Sequence, residues 1–324
     1  MLLDVADLSV DLPTAGGFRR LVRDVSFALD AGQTLGVVGE SGSGKTLTAL
    51  ALMGLLPEGA RVSGRAMFEG RDLLGLDEPQ MQRLRGDRVA MIFQEPMTAL
   101  NPLQSVGRQI AEPLILHRGL SRGAAGAEAV RLLARVGLPD PARRARAHPH
   151  ELSGGQRQRA MIAMALACAP RLMIADEPTT ALDVTVQAQI LDLIADLCAH
   201  SDMALILVSH DLAVVAQNCR RMLVMYGGAT MESGATETVL ARPAHPYTRA
   251  LLDARPRFGA PRRERLRAIA GGAPGATDRP TGCPFAGRCP LTIDACRRAL
   301  PTEVAVGEGH MARCIRLDAV EGAA

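Results

Sequence analysis

Tryptophan is missing from this 324-residue chain, and phenylalanine and tyrosine together make up only 2% of it. Single-stranded nucleic acid is held largely by bases stacked on aromatic rings, so that mode of binding has little to work with. The formal net charge of +3 is too small to mark a polyanionic partner. No long hydrophobic run exists either. The longest apolar stretch, Ala160 to Pro170, follows Arg157 and Arg159 and is about half of what a bilayer-crossing helix requires. Met1 to Leu12 contains Asp4, Asp7 and Asp11 but no basic n-region, so no signal peptide is expected. The chain reads as soluble and cytosolic, with any membrane link made through partners. Lysine is nearly absent as well: of 37 basic residues only Lys45 is one.

A GC-rich codon bias accounts for the surplus of arginine, alanine, glycine and proline. The exception then carries information, because an ammonium is a compact point charge where a guanidinium is a wide planar fork. Lys45 closes Gly39-Glu40-Ser41-Gly42-Ser43-Gly44-Lys45-Thr46, the spacing of a phosphate-binding P-loop. Backbone amides from Ser41 to Thr46 are expected around the β-phosphate, at the positive end of the next helix. Lys45 then reaches the β- and γ-phosphates, and the Thr46 hydroxyl ligates Mg²⁺.

The composition, 48% hydrophobic and 22% charged, is that of an ordinary globular protein. Val22–Leu29 and Thr34–Val38 read as strands, the second feeding the glycine loop, and Lys45–Leu55 has helical spacing. Val62–Glu69 and Val89–Phe93 are further strands. Between Met97 and Arg159 strand signals vanish, and Arg108–Leu116 and Ala124–Val136 read as amphipathic helices, a helical insert. Strands return at Leu172–Ala175, Ala204–Val208 and Met222–Met225, with helices at Val184–Cys198 and Leu212–Gln217 between them. That alternation predicts a largely parallel sheet in an α/β fold. Past Asp253 the chain turns to Pro, Gly and Arg, a linker before a small cysteine-bearing appendage. The division expected is residues 1–253, with a helical subdomain over about 97–160, followed by an extension over 254–324. The arginine runs Arg143–Arg146 and Arg262–Arg267 read as solvated faces.

Leu172-Met173-Ile174-Ala175 ends in Asp176 and Glu177, two acids at a strand's carboxyl edge. Asp176 is suited to the Mg²⁺ shell and Glu177, turned the other way, to polarising an attacking water as general base. Leu152-Ser153-Gly154-Gly155-Gln156 opens the helical run Arg157–Ala169 and makes a second anion-binding helix end. One nucleotide does not need two such ends from one chain, whereas two facing subunits would use both.

At this point the chain resembles the ATP-binding cassette (ABC) ATPases, whose signature motif Ser153-Gly154-Gly155-Gln156 matches. In that family the signature caps the γ-phosphate of ATP held by the opposite subunit. The resemblance implies further roles. Gln94 matches the Q-loop glutamine, at Mg²⁺ or water. Ala181-Leu182-Asp183 matches the D-loop, and His210 the switch histidine near the γ-phosphate. The family's adenine-stacking aromatic has no clear match, the nearest being Phe18. The fold implied is a P-loop NTPase cassette, a RecA-like core with an antiparallel β subdomain and a helical subdomain.

Gly39 through Lys45, Phe93-Gln94-Glu95-Pro96 through Pro102, Glu177-Pro178-Thr179-Thr180 through Gln187, and His245-Pro246-Tyr247-Thr248-Arg249 through Leu252 are similar to the oligopeptide/dipeptide (peptide/nickel) importer ATPases. That likeness implies ATP hydrolysis coupled to uptake of di-/oligopeptides or peptide-like solutes. Its implied partners are two transmembrane permease subunits, a sister ABC ATPase or second copy forming an ATP sandwich, and an extracytoplasmic solute-binding protein. The location implied is peripheral, on the cytoplasmic face of the bacterial inner membrane, and no nucleic acid is expected. The alternative is a soluble, non-transport ABC ATPase acting on nucleic acid or ribosomes. Such proteins carry two cassettes or a long coiled-coil insertion, and this chain has one cassette and no heptads.

Cys168, Cys198 and Cys219 lie in apolar surroundings and read as small core residues. Cys283, Cys289, Cys296 and Cys314 crowd the end of the chain. Without a C-x-x-C pair they do not form a common zinc ribbon, which leaves an iron–sulfur cluster, zinc or free thiols. Related importer ATPases bind a [4Fe-4S] cluster in a similar segment, so the resemblance implies one here, in a structural role.

Overall fold

The computed structural model describes residues 1–180, 182–254, 269–272, 275 and 280–321. Ala181 of the D-loop, the run Arg262–Arg267 and most of the expected linker lie outside the described residues.

The chain opens with two long strands, β1 (Leu3–Thr14) and β2 (Gly17–Leu29), before β3 (Thr34–Val38), the P-loop and α1 (Lys45–Met53). Next come β4 (Arg61–Phe68), β5 (Arg71–Asp72), α2 (Glu78–Leu84) and β6 (Val89–Ile92). A helical stretch follows, with α3 (Pro96–Ala99), α4 (Val106–Arg118), α5 (Arg122–Arg135), α6 (Pro141–Arg144) and α7 (Gly154–Ala165). Strand and helix then alternate through β7 (Leu172–Asp176), α8 (Val184–Ala199), β8 (Ala204–Ser209), α9 (Leu212–Asn218) and β9 (Arg221–Tyr226). The remainder is β10 (Ala229–Ala235), α10 (Thr236–Ala241), α11 (Pro246–Asp253), α12 (Asp294–Arg298), β11 (Val304–Gly307), β12 (His310–Ala312) and α13 (Leu317–Glu321).

These elements form two compact units, each assembled from several stretches. The first holds residues 1–3, 29–34 and 68–208. Its sheet runs in the order β8-β7-β6 with all three strands parallel. Every residue of these strands is buried, and such strands read as unbroken apolar runs, which is why the sequence displays them plainly. Helices α3, α4 and α5 pack on α7, which also meets β6 and α8. The N-terminus of α4 has no side-chain cap. Instead the Val106 and Gly107 amides donate to the carbonyls of Ala147 and Ala145 at 2.9 and 2.8 Å, which answers the orphan amides of a helix start.

The second unit holds residues 4–28, 35–67 and 209–324. Here β3 and β9 are parallel, Leu35 facing Arg221 and Val38 facing Val224. Beyond β9 the order is β9-β10-β12-β11, all antiparallel. The expectation of a largely parallel sheet therefore holds for β6, β7 and β8 and for β3 with β9, but not beyond β9. The cysteine-bearing end adds strands of its own, Glu232 of β10 facing Ala312 of β12. Glu232 is fully buried and accepts from the Ala244 and His245 amides at 2.8 and 2.9 Å, with His310 Nε2 2.8 Å from its Oε1. A buried carboxylate with that many partners is satisfied, and it locks β10, β12 and the start of α11 together. Among the described residues no helix is long and apolar enough to cross a membrane.

Candidate functional site

The nucleotide cradle begins where β3 runs out. A Cβ on Gly39 would lie 2.1 Å from the Met225 carbonyl oxygen, so only glycine lets the loop pass β9 this closely. Gly44 sits at φ +100° as the N-cap of α1 and brings no side-chain acceptor, leaving a helix end of the type that binds anions. Lys45 is 95% buried, since it is only 5% exposed, and Nζ donates to the Gly39 and Glu40 carbonyls at 2.8 and 3.1 Å. The Ser43 hydroxyl is buried without a hydrogen-bond partner, an orphaned donor inside a loop shaped for phosphate. Ser41, Gly42 and Thr46 are exposed.

The acids expected at a strand end are where the sequence puts them. Asp176 is the last residue of β7 and is buried. Glu177 follows at φ +46°, a left-handed conformation uncommon for a non-glycine residue. Its amide donates to the Val208 carbonyl at 3.0 Å, and its Oε2 accepts from Gln94 Nε2 at 3.2 Å and Thr180 Oγ1 at 2.9 Å. Parallel register explains the meeting with Gln94. Ile92 of β6 faces Ala175 of β7, so the residues two beyond that pair, Gln94 and Glu177, arrive side by side. His210 follows β8 and is exposed.

Ser153 caps α7 reciprocally: its Oγ accepts from the Gln156 amide at 3.4 Å while its own amide donates to Gln156 Oε1 at 3.2 Å. Asp183 caps α8 in one direction only, Oδ1 accepting from the Val186 amide at 2.9 Å. The two helix starts touch. A Cβ on Gly155 would stand 2.8 Å from Val186 Cγ1, and one on Gly154 3.5 Å from Leu182 Cδ2. Together Ser153, Gly154, Gly155, Gln156, Leu182 and Asp183 border an open pocket of about 370 Å³. The structure thus joins Gln94 to Glu177 and the signature to the D-loop, while the P-loop and His210 belong to the other unit. Phe18 is half exposed, with the Arg61 guanidinium 3.5 Å over its ring.

Cys283, Cys289, Cys296 and Cys314 line one small cavity of about 20 Å³. Burial pushes the Cys283 thiol up to about 11 and raises Cys289 and Cys314, with further upward pressure from neighbouring cysteines. A soft metal would have to displace those protons. Among the described residues no three His, Cys, Asp or Glu side chains come together as a site for a metal ion. In kind the donors suit an iron–sulfur group, being four thiols without a carboxylate, but they do not close on a single ion. Cys198 is likewise raised to about 11 by burial, in keeping with an inert core residue.

Thr180 was visible within the Glu177-Pro178-Thr179-Thr180 run but had no assigned task, and here it orients the carboxylate. Tyr247 and Arg288 reach the P-loop from the C-terminal part of the chain. No local pattern signals that contact, because it spans 207 and 248 residues.

One unit holds a glycine loop running into a helix start, the other a strand-end carboxylate held by Gln94 and Thr180, and the mixed core with helical and antiparallel parts is that of an ATP-binding cassette. The solved dimeric cassette MJ0796 bound to ADP and Pi superposes with a TM-score of 0.66 at 25% identity, over 72% of this chain and 99% of that one. CbiO1 from Clostridium perfringens shares the fold, with a TM-score of 0.61 at 23% identity over 74% of this chain and 90% of its own. Residues 22–180 match the ABC transporter family, and residues 231–296 match the oligopeptide/dipeptide transporter C-terminal region. The chain is 49% identical to the oligopeptide transport ATP-binding protein OppD of Salmonella typhimurium, across 98% of this chain and 94% of that protein. Identity to OppD of Escherichia coli is 50%, across 93% and 89%. A probable peptide ABC transporter ATP-binding protein of Sinorhizobium fredii is 48% identical across 99% and 96%. The chain belongs to the ABC transporter family, as an ATP-hydrolysing subunit of its oligopeptide-importer branch.

Proposed function

We propose that this chain powers the uptake of di- or oligopeptides, or peptide-like solutes, by a binding-protein-dependent importer at the cytoplasmic face of a bacterial inner membrane. Near-full-length likeness to proteins named for oligopeptide transport supports that cargo class. Two cassettes, this chain with a second copy or a sister, sandwich ATP between the P-loop of one and the signature of the other. Closure then drives two permease subunits, which receive solute from an extracytoplasmic binding protein. The dimeric form of the cassette MJ0796 supports the pairing.

Chemically the work is positioning and electrostatic stabilisation of in-line attack on the γ-phosphate. Lys45 and the amides from Ser41 to Thr46 hold the phosphates, with Gly39 and Glu40 leading the chain into the loop. Glu177 takes the proton of the attacking water, and Gln94 and Thr180 hold its carboxylate in line. His210 approaches the γ-phosphate. Thr46, Gln94 and Asp176 offer hydroxyl, amide and carboxylate oxygens, hard donors of the type Mg²⁺ selects, and that ion supplies charge neutralisation when bound. Cys283, Cys289, Cys296 and Cys314 would be the residues to hold a structural [4Fe-4S] cluster, whose role when bound would be to pin an extension short of core.

The Gln94–Glu177 hydrogen bond carries the hydrolytic reading. With Glu177→Gln, ATP binding is expected to persist, turnover to fall roughly 10²–10⁴-fold, and a closed ATP-bound dimer to accumulate on size exclusion. Near-normal hydrolysis in that variant places the base elsewhere.

A further inference from the structure

Glu40 lies inside the P-loop and is gripped twice by residues from the other end of the chain. Its amide donates to the Tyr247 hydroxyl at 2.9 Å, and its Oε2 accepts from Arg288 at 2.7 Å. The Arg288 side chain is only 9% exposed. The nitrogen that holds Glu40 also donates to the Tyr226 hydroxyl at 3.0 Å, while Nε and the remaining terminal nitrogen donate to the Ala270 and Ile269 carbonyls at 2.8 and 3.1 Å. Phe285 packs against both tyrosines, its ring centroid 5.3 Å from that of Tyr226 and 5.2 Å from that of Tyr247. Tyr226, Tyr247 and Phe285 are all buried, so this is a rigid support. Phe285 and Arg288 both sit in the short loop bracketed by Cys283 and Cys289.

Two physical consequences follow for the loop. The Glu40 carbonyl is one of the acceptors that hold Lys45, so fixing Glu40 also fixes the lysine. A carboxylate in a loop built for a triphosphate would repel it, and a charge-assisted pair with a guanidinium cancels that charge.

We infer that Arg288 is a positioning residue of the nucleotide site: the cysteine-bracketed loop reaches back to neutralise Glu40 and hold the P-loop preformed for ATP. The inference rests on the P-loop reading above. It predicts an effect on nucleotide affinity more than on chemistry, since the pair touches neither water nor leaving group.

The test is Mg²⁺-ATP binding by a fluorescent analogue, with steady-state kcat and KM, on the full chain. Arg288→Met is expected to weaken binding roughly 10-fold and raise KM in step, with kcat little changed. Arg288→Lys should recover most of the loss, as a purely structural arginine would not permit. Adding Glu40→Gln to Arg288→Met should restore affinity, because the unpaired charge is gone. Lys45→Ala serves as reference and should abolish binding. Wild-type affinity in Arg288→Met beside a dead Lys45→Ala overturns this inference alone. Normal binding by Lys45→Ala overturns the P-loop reading and this inference with it. Should Arg288→Met fail to fold, Tyr247→Phe removes only the hydroxyl that accepts the Glu40 amide. Weakened binding there supports the clamp, and unchanged binding overturns it.

Discussion

Glu177 holds a left-handed backbone conformation that costs a non-glycine residue on the order of 1–2 kcal/mol. Such strain persists where the surroundings over-determine it, and here the Val208 carbonyl, Thr180 and Gln94 do so. Gln94 is the weakest of these holds, being exposed and at 3.2 Å. Gln94→Ala should therefore lower kcat by roughly 10-fold, less than loss of the base itself, with a smaller loss of Mg²⁺-nucleotide affinity from the missing amide oxygen. A fall in affinity with kcat intact would show that Gln94 serves binding and not the carboxylate. Each of these residues was legible singly, Lys45 from its rarity, Glu177 from its strand end and Gln94 from family likeness. Their bonding was not, since it depends on the β6–β7 register, which no stretch of sequence states.

At the scale of elements, α7 and α8 meet through a glycine with no room to spare. Alanine at Gly155 would gain about 1 kcal/mol of helix propensity, yet its methyl must stand 2.8 Å from Cγ1 of a β-branched valine that cannot easily turn away. Overpacking of this kind costs about 1–3 kcal/mol, so Gly155→Ala should lower the melting temperature by a few degrees. Adding Val186→Ala removes the obstacle and should return stability to wild type or above; a double variant no better than the single would place the strain elsewhere. Elements of this unit were readable because β6, β7 and β8 are unbroken apolar runs. The first strand escaped notice because β1 mixes Asp4, Asp7 and Asp11 among its apolar residues. β10 escaped too, since Ala229–Ala235 is small and polar, and its extended form comes from pairing with β9 and β12. The cysteine pocket was legible as a group of thiols but not as to its occupant. Anaerobically purified protein should be brown and contain iron with acid-labile sulfide; colourless protein with stoichiometric zinc would replace the cluster with a single ion.

At the scale of the whole molecule, one chain offers two anion-binding helix ends, α1 behind the P-loop and α7 behind Ser153. The second borders a pocket of about 370 Å³ made entirely within one unit by the signature and D-loop. Under the proposed sandwich that pocket takes the nucleotide held by another molecule's P-loop, and reciprocal use of both ends by two subunits closes as a twofold dimer. Each composite site then needs Lys45 from one protomer and Ser153 from its partner. Lys45→Ala and Ser153→Arg should each be inactive alone for different reasons, the first unable to hold phosphate and the second carrying a bulky cation where the γ-phosphate would dock. If a second copy is the pairing partner, mixing the two regenerates one intact site per mixed dimer. Equal mixing should restore about a quarter of wild-type turnover, because half the dimers are mixed and each has one of two sites. If a sister cassette is the partner, a lysine substitution in both cassettes should abolish turnover, and moving the second substitution from the sister's lysine to its matching serine should restore one intact site. No recovery in either pairing would mean that the two helix ends never share a nucleotide, and the serine-capped end of α7 would need another ligand.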